Sequence, residues 1–157
     1  MASVYFEVVH QFETSARSVW DELVDWKGHE AWIPATRVEV GEGDPTAPGT
    51  RFTAFTGFGP VALHDKMVIT ECEWDDESGS GRCEVEKLGP VLHGRAWFTV
   101  EADGGGTGGG EGAVVKWFED VTVPYVPQFV APVLNRGGAA GFRMGMKKLA
   151  RQLAERS

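Results

Sequence analysis

TSARSVWDELVDWKGHEAWIP, residues 14–34, holds three of the chain's six tryptophans and ends at Pro34. Thr14 or Ser15 is suited to cap a helix, because its hydroxyl can accept a hydrogen bond from the first helical turn. The apolar positions that follow recur at helical spacing: Ala16, Val19, Trp20, Leu23 and Val24. We therefore predict a short amphipathic helix after residue 15, then a second short helix or turn over 26–33 that the proline ends.

The residues on either side of this segment alternate between apolar and polar, as strands do. Residues 3–12, SVYFEVVHQF, form a strand with one largely apolar face. Between Thr36 and Pro124 the same pattern predicts six more strands, at 38–40, 50–58, 61–74, 82–88, 91–102 and 113–123. The glycine-rich stretch 104–112 is interpreted as a hairpin connection. It has no Walker lysine and precedes a strand, unlike a phosphate-binding loop.

A long helix is predicted over 135–155, after the prolines of the segment 124–133. Its apolar residues are spaced four, three and four apart: Phe142, Met146, Leu149 and Leu153. Its first half is rich in small residues: Gly137, Gly138, Ala139, Ala140, Gly141 and Gly145. Because each helical glycine costs about 1 kcal/mol relative to alanine, this half of the helix must approach a neighbour closely or leave space beside it.

This order of elements predicts an α+β fold. Six consecutive strands with short connections make an antiparallel sheet, and the first strand brings the total to seven. Helices only before and after the run of strands place the long helix across the concave face of a curved sheet. A length of 157 residues fits a single domain over 1–157.

The net charge of −8 excludes several classes of partner. Nucleic acid is not expected, because phosphate contacts need clustered lysine and arginine, and adhesion to an anionic membrane surface is disfavoured for the same reason. No run of about 18 apolar residues predicts a membrane span. The first residues lack the layout of a signal peptide, so we expect a cytoplasmic protein.

The sequence predicts neither a cofactor nor a metal. The four histidines, at 10, 29, 64 and 93, are scattered, and Cys72 and Cys83 are interpreted as free thiols in strands. No GxSxG marks a serine nucleophile, and no GxGxxG opens a helix after a strand. Oligomeric state is left open between monomer and homodimer.

Several ordered motifs resemble the START-like or SRPBCC superfamily, whose Bet v 1-like fold is called a helix grip. They are Val19-Trp20, Leu23, Asp25-Trp26 and Trp32-Ile33-Pro34; Pro48-Gly49-Thr50; Val68-Ile69-Thr70-Glu71; Gly94-Arg95-Ala96-Trp97-Phe98; Val115-Lys116-Trp117; and LARQLAE at 149–155. The resemblance covers nearly the whole chain and is strongest to small bacterial members of the polyketide cyclase/dehydrase branch. It implies a sheet wrapped around the C-terminal helix, with Trp20 in the core and Trp32 near the rim of a cavity.

Strand alternation places two carboxylates, Asp65 and Glu119, on the inward face. In an apolar cavity they could share a proton or bind a ligand hydroxyl, and they are the candidate catalytic groups. The alternative is a solvated carboxylate near a strand end, or one paired with an arginine such as Arg143. The apolar segment 124–133 is either a lid over the cavity or a packed connector.

We expect an internal pocket that binds a small hydrophobic or amphipathic molecule, such as a lipid, a polyketide-like compound or an aromatic compound. The predicted lining is Trp32, Phe52, Asp65, Met67, Phe98, Trp117, Glu119, Tyr125, Phe129, Gly138, Gly141 and Phe142. A polyketide cyclase or aromatase that uses a cavity carboxylate is the enzyme alternative. A protein-interaction module is the third, and it would expose an apolar patch and lack a cavity.

Overall fold

The computed structural model of the chain describes residues 1–57, 59–103 and 112–156. The elements are strand β1 (Ala2–Phe12), helix α1 (Ala16–Leu23), a 3₁₀ turn (Lys27–Ala31), β2 (Thr36–Val40), β3 (Arg51–Thr56), a 3₁₀ turn (Gly59–Val61), β4 (Leu63–Asp75), β5 (Ser80–Leu88), β6 (His93–Asp103), β7 (Gly112–Val123), a 3₁₀ turn (Gln128–Val130) and helix α2 (Ala131–Arg156). Most of the glycine-rich stretch predicted as a hairpin connection, 104–111, lies outside the described residues.

The predicted α+β fold is confirmed. One antiparallel sheet has the strand order β1-β7-β6-β5-β4-β3-β2, so every strand after β2 pairs with its predecessor and β1 joins the edge of β7. Ser15 caps α1, because its hydroxyl accepts a hydrogen bond from the amide of Ser18. The long helix begins at Ala131, four residues before the predicted start, since Pro132 fits the first turn of a helix, where its missing N–H is not needed.

One half of the sheet is tightly packed. This half includes the cross-strand pairs Phe12↔Ala113 and Val100↔Val115; here α1 contacts β6 and β7, and α2 contacts β1. The fully or almost fully buried residues of this half are Phe12, Val19, Leu23, Val100, Val115, Met146, Leu149 and Leu153. We call it the packed half, and the burial of these large apolar side chains stabilises the fold.

The glycines of α2 do both things that the sequence predicts: two allow a close approach to a neighbour, and one leaves open space. A Cβ on Gly138 would lie 2.6 Å from the Phe6 ring, and one on Gly145 would lie 3.1 Å from Trp32, so both sites are close approaches. A Cβ on Gly141 would meet no atom within 4 Å. The helix therefore touches β1 and the Trp32 turn, yet keeps open space beside Gly141.

Candidate functional site

The other half of the sheet encloses a cavity of about 490 Å³. It lies between the concave face and the N-terminal half of α2, and α2 contributes Leu134, Gly138, Gly141 and Phe142 to its wall. Pockets for small molecules run to roughly 300–1,000 Å³, so this volume suits a ligand of a few fused rings or a medium acyl chain. The wall is mainly aliphatic and aromatic, and its charged members are Asp65, Lys87 and Glu119.

Stacked aromatic rings separate the cavity from the packed half. Phe98 and Trp117 are cross-strand neighbours whose rings stack 5.2 Å apart at 11°. Trp117 also stacks on Phe142 of α2 at 4.8 Å. Next to Phe98, at 6.3 Å between ring centroids, Trp26 stacks on Phe52 at 4.4 Å and donates its indole N–H to the Pro45 carbonyl at 2.6 Å. These rings form a rigid wall, because aromatic stacking adds to the burial of each ring.

A buried ion cluster lies on the cavity wall. The Lys87 Nζ atom is 2.5 Å from Asp65 Oδ2 and 3.4 Å from Glu119 Oε2. All three residues are buried, with exposed fractions of 6% for Lys87, 8% for Asp65 and 6% for Glu119. The expected pairing of a carboxylate with Arg143 is not what the structure shows. The cation is Lys87, because alternation on β5 points its side chain inward after Cys83 and Val85.

Small residues of β6 let Lys87 reach Glu119 across an intervening strand. Lys87 of β5 pairs with Gly94 of β6, and Glu119 of β7 pairs with Ala96 of β6. A Cβ on Gly94 would lie 2.2 Å from the Asp120 carbonyl oxygen, and its φ of 127° favours glycine. The site is therefore built by four adjacent strands: β4, β5 and β7 contribute the charged side chains, and β6 contributes small residues between Lys87 and Glu119.

Burial and charge divide the protons within the cluster. Burial lowers the pKa of the Lys87 ammonium, but the Glu119 and Asp65 carboxylates more than offset this, so its pKa is raised and the amine stays protonated. Burial raises the pKa of Glu119, against the opposing effects of Lys87 and of a hydrogen bond from the Trp117 indole. The raised pKa of the Glu119 carboxyl therefore favours its uptake of a proton.

One oxygen of the cluster has no partner among the described residues. Asp65 Oδ2 accepts from Lys87, but Asp65 Oδ1 is buried and receives no hydrogen bond. A buried carboxylate oxygen without a donor is costly. Asp65 lines the cavity, so this buried oxygen is a vacant hydrogen-bond acceptor next to it.

His29 is a further polar group on the cavity wall. Its Nε2 donates a hydrogen bond to the Leu23 carbonyl at 2.7 Å, which leaves Nδ1 as an acceptor. Burial lowers the pKa of this imidazole to about 4. The ring is therefore neutral near pH 7, and it fastens the turn before β2 to the end of α1.

Nine of the twelve residues predicted as lining are found on the cavity wall: Phe52, Asp65, Met67, Phe98, Trp117, Glu119, Gly138, Gly141 and Phe142. Trp32 was expected near the rim but is fully buried under Gly145. Tyr125 and Phe129 are 99% and 82% exposed, so neither ring covers the cavity. The segment 124–133 turns outward at Tyr125, whose φ is 66°, and Gln128 fastens it to β1 through the amide of Ser3.

Sequence reasoning missed further wall residues, among them Trp26, His29 and Lys87. Lys87 could have been found by extending strand alternation to β5, because it lies on the same face as Cys83 and Val85. Trp26 and His29 lie in an irregular segment, where no period sorts inward from outward positions. Among the described residues, no three His, Cys, Asp or Glu side chains cluster as metal ligands.

A curved antiparallel sheet around a long C-terminal helix, with an apolar cavity between them, defines the Bet v 1-like helix-grip class. Residues 3–154 match the family described as "Polyketide cyclase / dehydrase and lipid transport", and the chain belongs to this family. No helix of the described residues is long and apolar enough to cross a membrane.

Two solved structures show the same fold. A solution NMR structure of a Thermobifida fusca protein has a TM-score of 0.63 at 18% identity, covering 99% of this chain and 95% of that one. The crystal structure of Ara h 8.0201 has a TM-score of 0.62 at 14% identity, covering 98% of this chain and 99% of that one. A comparison with curated proteins finds no match.

Proposed function

We propose that this protein binds one small apolar or amphipathic molecule in the cavity between the sheet and α2. The observation that carries the proposal is a partly open cavity of about 490 Å³ with a mainly apolar wall. Apolar surface left in contact with water is unfavourable by roughly 25 cal/mol per Å², and an apolar ligand would cover it. The open space beside Gly141 comes at a further cost in helix propensity, which a bound ligand would offset.

Native mass spectrometry of freshly purified protein tests the proposal. We expect a stoichiometric adduct that denaturation releases, or a thermal shift with members of a panel of fatty alcohols, fatty acids and polycyclic compounds. A ligand that binds only the folded state raises the melting temperature by mass action. A clean apo mass with no thermal shift across the panel would contradict the proposed ligand binding. The protein-interaction module would then be the alternative to test.

Acid–base catalysis in the same cavity is the second candidate, as in a polyketide cyclase. The observation that favours it is Glu119, a buried carboxyl with a raised pKa on the cavity wall. Such a group can give or take a proton while the wall holds a reactive chain in one conformation. Cyclisation of a poly-β-keto thioester, followed by chromatography, tests this candidate. Loss of turnover in Glu119→Gln, with ligand binding retained, would support it.

A further inference from the structure

In the ion cluster every N–H donor of Lys87 is directed at an acceptor, whereas one carboxylate oxygen receives no hydrogen bond from the described residues. The ammonium of Lys87 is directed at Asp65 Oδ2, Glu119 Oε2 and the Met67 sulfur, the last at 3.6 Å. Glu119 Oε1 accepts from the Trp117 indole at 3.0 Å. The remaining oxygen, Asp65 Oδ1, is buried without a partner among the described residues. A cavity wall of this kind selects ligands by what they can donate.

From this arrangement, and resting on the proposed cavity binding, we propose that the ligand is an apolar molecule with a neutral hydroxyl group that donates its proton to Asp65 Oδ1. The rest of the molecule would lie against the aromatic wall around Trp117 and Phe98. Alcohols, phenols and hydroxylated ring systems belong to this class.

Ligands that carry only acceptors do not fit this site. A carbonyl or ether oxygen placed at Asp65 Oδ1 would face a lone pair, and a carboxylate would face a like charge. Two N–H groups of Lys87 are directed at carboxyl groups and the third at the Met67 sulfur, so a ligand acceptor could bind Lys87 only by displacing this sulfur. Free fatty acids in their ionised form are therefore poor ligands, whereas the corresponding alcohols are good ones.

A cationic ligand is the rival of the hydroxyl at this site. The Lys87 ammonium, 2.5 Å from Asp65 Oδ2, already neutralises one of the two carboxylates. A second ammonium would have to give up its hydration to enter an apolar cavity, whereas a hydroxyl satisfies the vacant oxygen without adding charge.

The test is a ligand series on one skeleton: naphthalene, 2-naphthol, 2-methoxynaphthalene, 2-acetylnaphthalene, 2-naphthoate and protonated 2-(aminomethyl)naphthalene, titrated by calorimetry at pH 7. We expect 2-naphthol to bind at least tenfold more tightly than every other member. The comparison with 2-methoxynaphthalene is decisive, because it keeps the oxygen and removes only the donated proton.

The variant Asp65→Asn should change the order of affinities. Its amide oxygen can still accept from Lys87, so its NH₂ group would face the cavity and donate. We then expect 2-acetylnaphthalene to bind more tightly than 2-naphthol. The matched control is Asp120→Asn, which alters an exposed carboxylate on the outer face of β7 and should preserve the original order.

The possible outcomes separate this proposal from the one on which it rests. If naphthalene, 2-naphthol and 2-methoxynaphthalene bind equally to the natural chain, the hydroxyl proposal is overturned while cavity binding stands. Tightest binding by the amine or by 2-naphthoate overturns it as well. If no member binds, the proposed cavity function fails for aromatic ligands, and the hydroxyl proposal fails with it. Should Asp65→Asn lose its fold by circular dichroism, the series on the natural chain decides alone.

Discussion

The substitution Gly141→Leu separates the stability of the fold from the capacity of the cavity. A Cβ at Gly141 meets no atom within 4 Å, and Gly141 lines the cavity, so we expect a leucine there to extend into the cavity. Replacing a helical glycine with a good helix former contributes about 0.5–1 kcal/mol. We therefore expect the free energy of unfolding, measured in urea, to rise slightly.

Ligand binding should change in the opposite direction. Leucine adds four carbons to the cavity, and a ligand that fills the space must give up an equal amount of apolar contact. At about 0.8 kcal/mol per buried methylene, the loss is roughly 3 kcal/mol, on the order of 100-fold in affinity. Small ligands should lose much less.

Calorimetry with a cavity-filling ligand and a small one measures both effects. The control Ala140→Leu adds a similar side chain to the exposed outer face of the same helix, and it should leave both affinities unchanged. If Gly141→Leu folded and still bound the large ligand as before, the cavity would not be the binding site and the reasoning would be refuted.

Three further predictions concern buried polar groups and close packing. Lys87→Met leaves two buried carboxyls without a cation and should lower the free energy of unfolding, measured in urea at pH 7, by about 3–5 kcal/mol. Part of this stability should return as the pH falls and a carboxyl takes up a proton. The control Lys66→Met, at an exposed lysine, should change the stability very little, and an equal loss in both variants would contradict the cluster. The imidazole of His29 has its pKa lowered by burial from 6.5 to about 4, so its contribution is complete above pH 6.5 and is lost as the pH falls to 4. The difference is about 3 kcal/mol at 1.36 kcal/mol per unit; His29→Gln should remove this acid-dependent loss, and the exposed His64→Gln should retain it. A Cβ on Gly81 would lie 2.6 Å from one tryptophan ring and 2.9 Å from another, so Gly81→Ala should lower the free energy of unfolding by about 1–3 kcal/mol, and an unchanged thermal midpoint would argue against this packing.

The strands could be predicted from the sequence because each buries one face of a single sheet. Alternation correctly oriented Asp65 in β4 and Glu119 in β7, and the register pairs them with neighbours that also point inward. Lys87 was missed because lysine is rarely buried, so its inward position breaks the expected pattern of strand β5. Its burial depends on two carboxylates from other strands, which only the pairing of β4, β5, β6 and β7 brings together.

The large aromatic residues show where sequence reasoning stops. Trp32, Tyr125 and Phe129 are all apolar enough to be expected at a cavity, yet one is buried in the core and two are exposed. Trp32 is buried because Gly145, far along the chain, lets α2 pass close above it. Local sequence propensity does not predict such a long-range contact, and it does not predict the backbone turn at Tyr125.

The sheet is divided into the packed half and the half that borders the cavity, which we call the hollow half. This division has an evolutionary consequence. In the packed half a substitution must satisfy many neighbours at once, whereas side chains such as Met67 and Phe142 border open space. Lineages can therefore alter the hollow half to suit new ligands while the packed half holds the fold constant. Sequences that share only 14–18% identity with this chain keep the same architecture. A library randomised at the cavity wall should yield folded proteins of varied ligand preference far more often than one randomised around Val100 and Leu149.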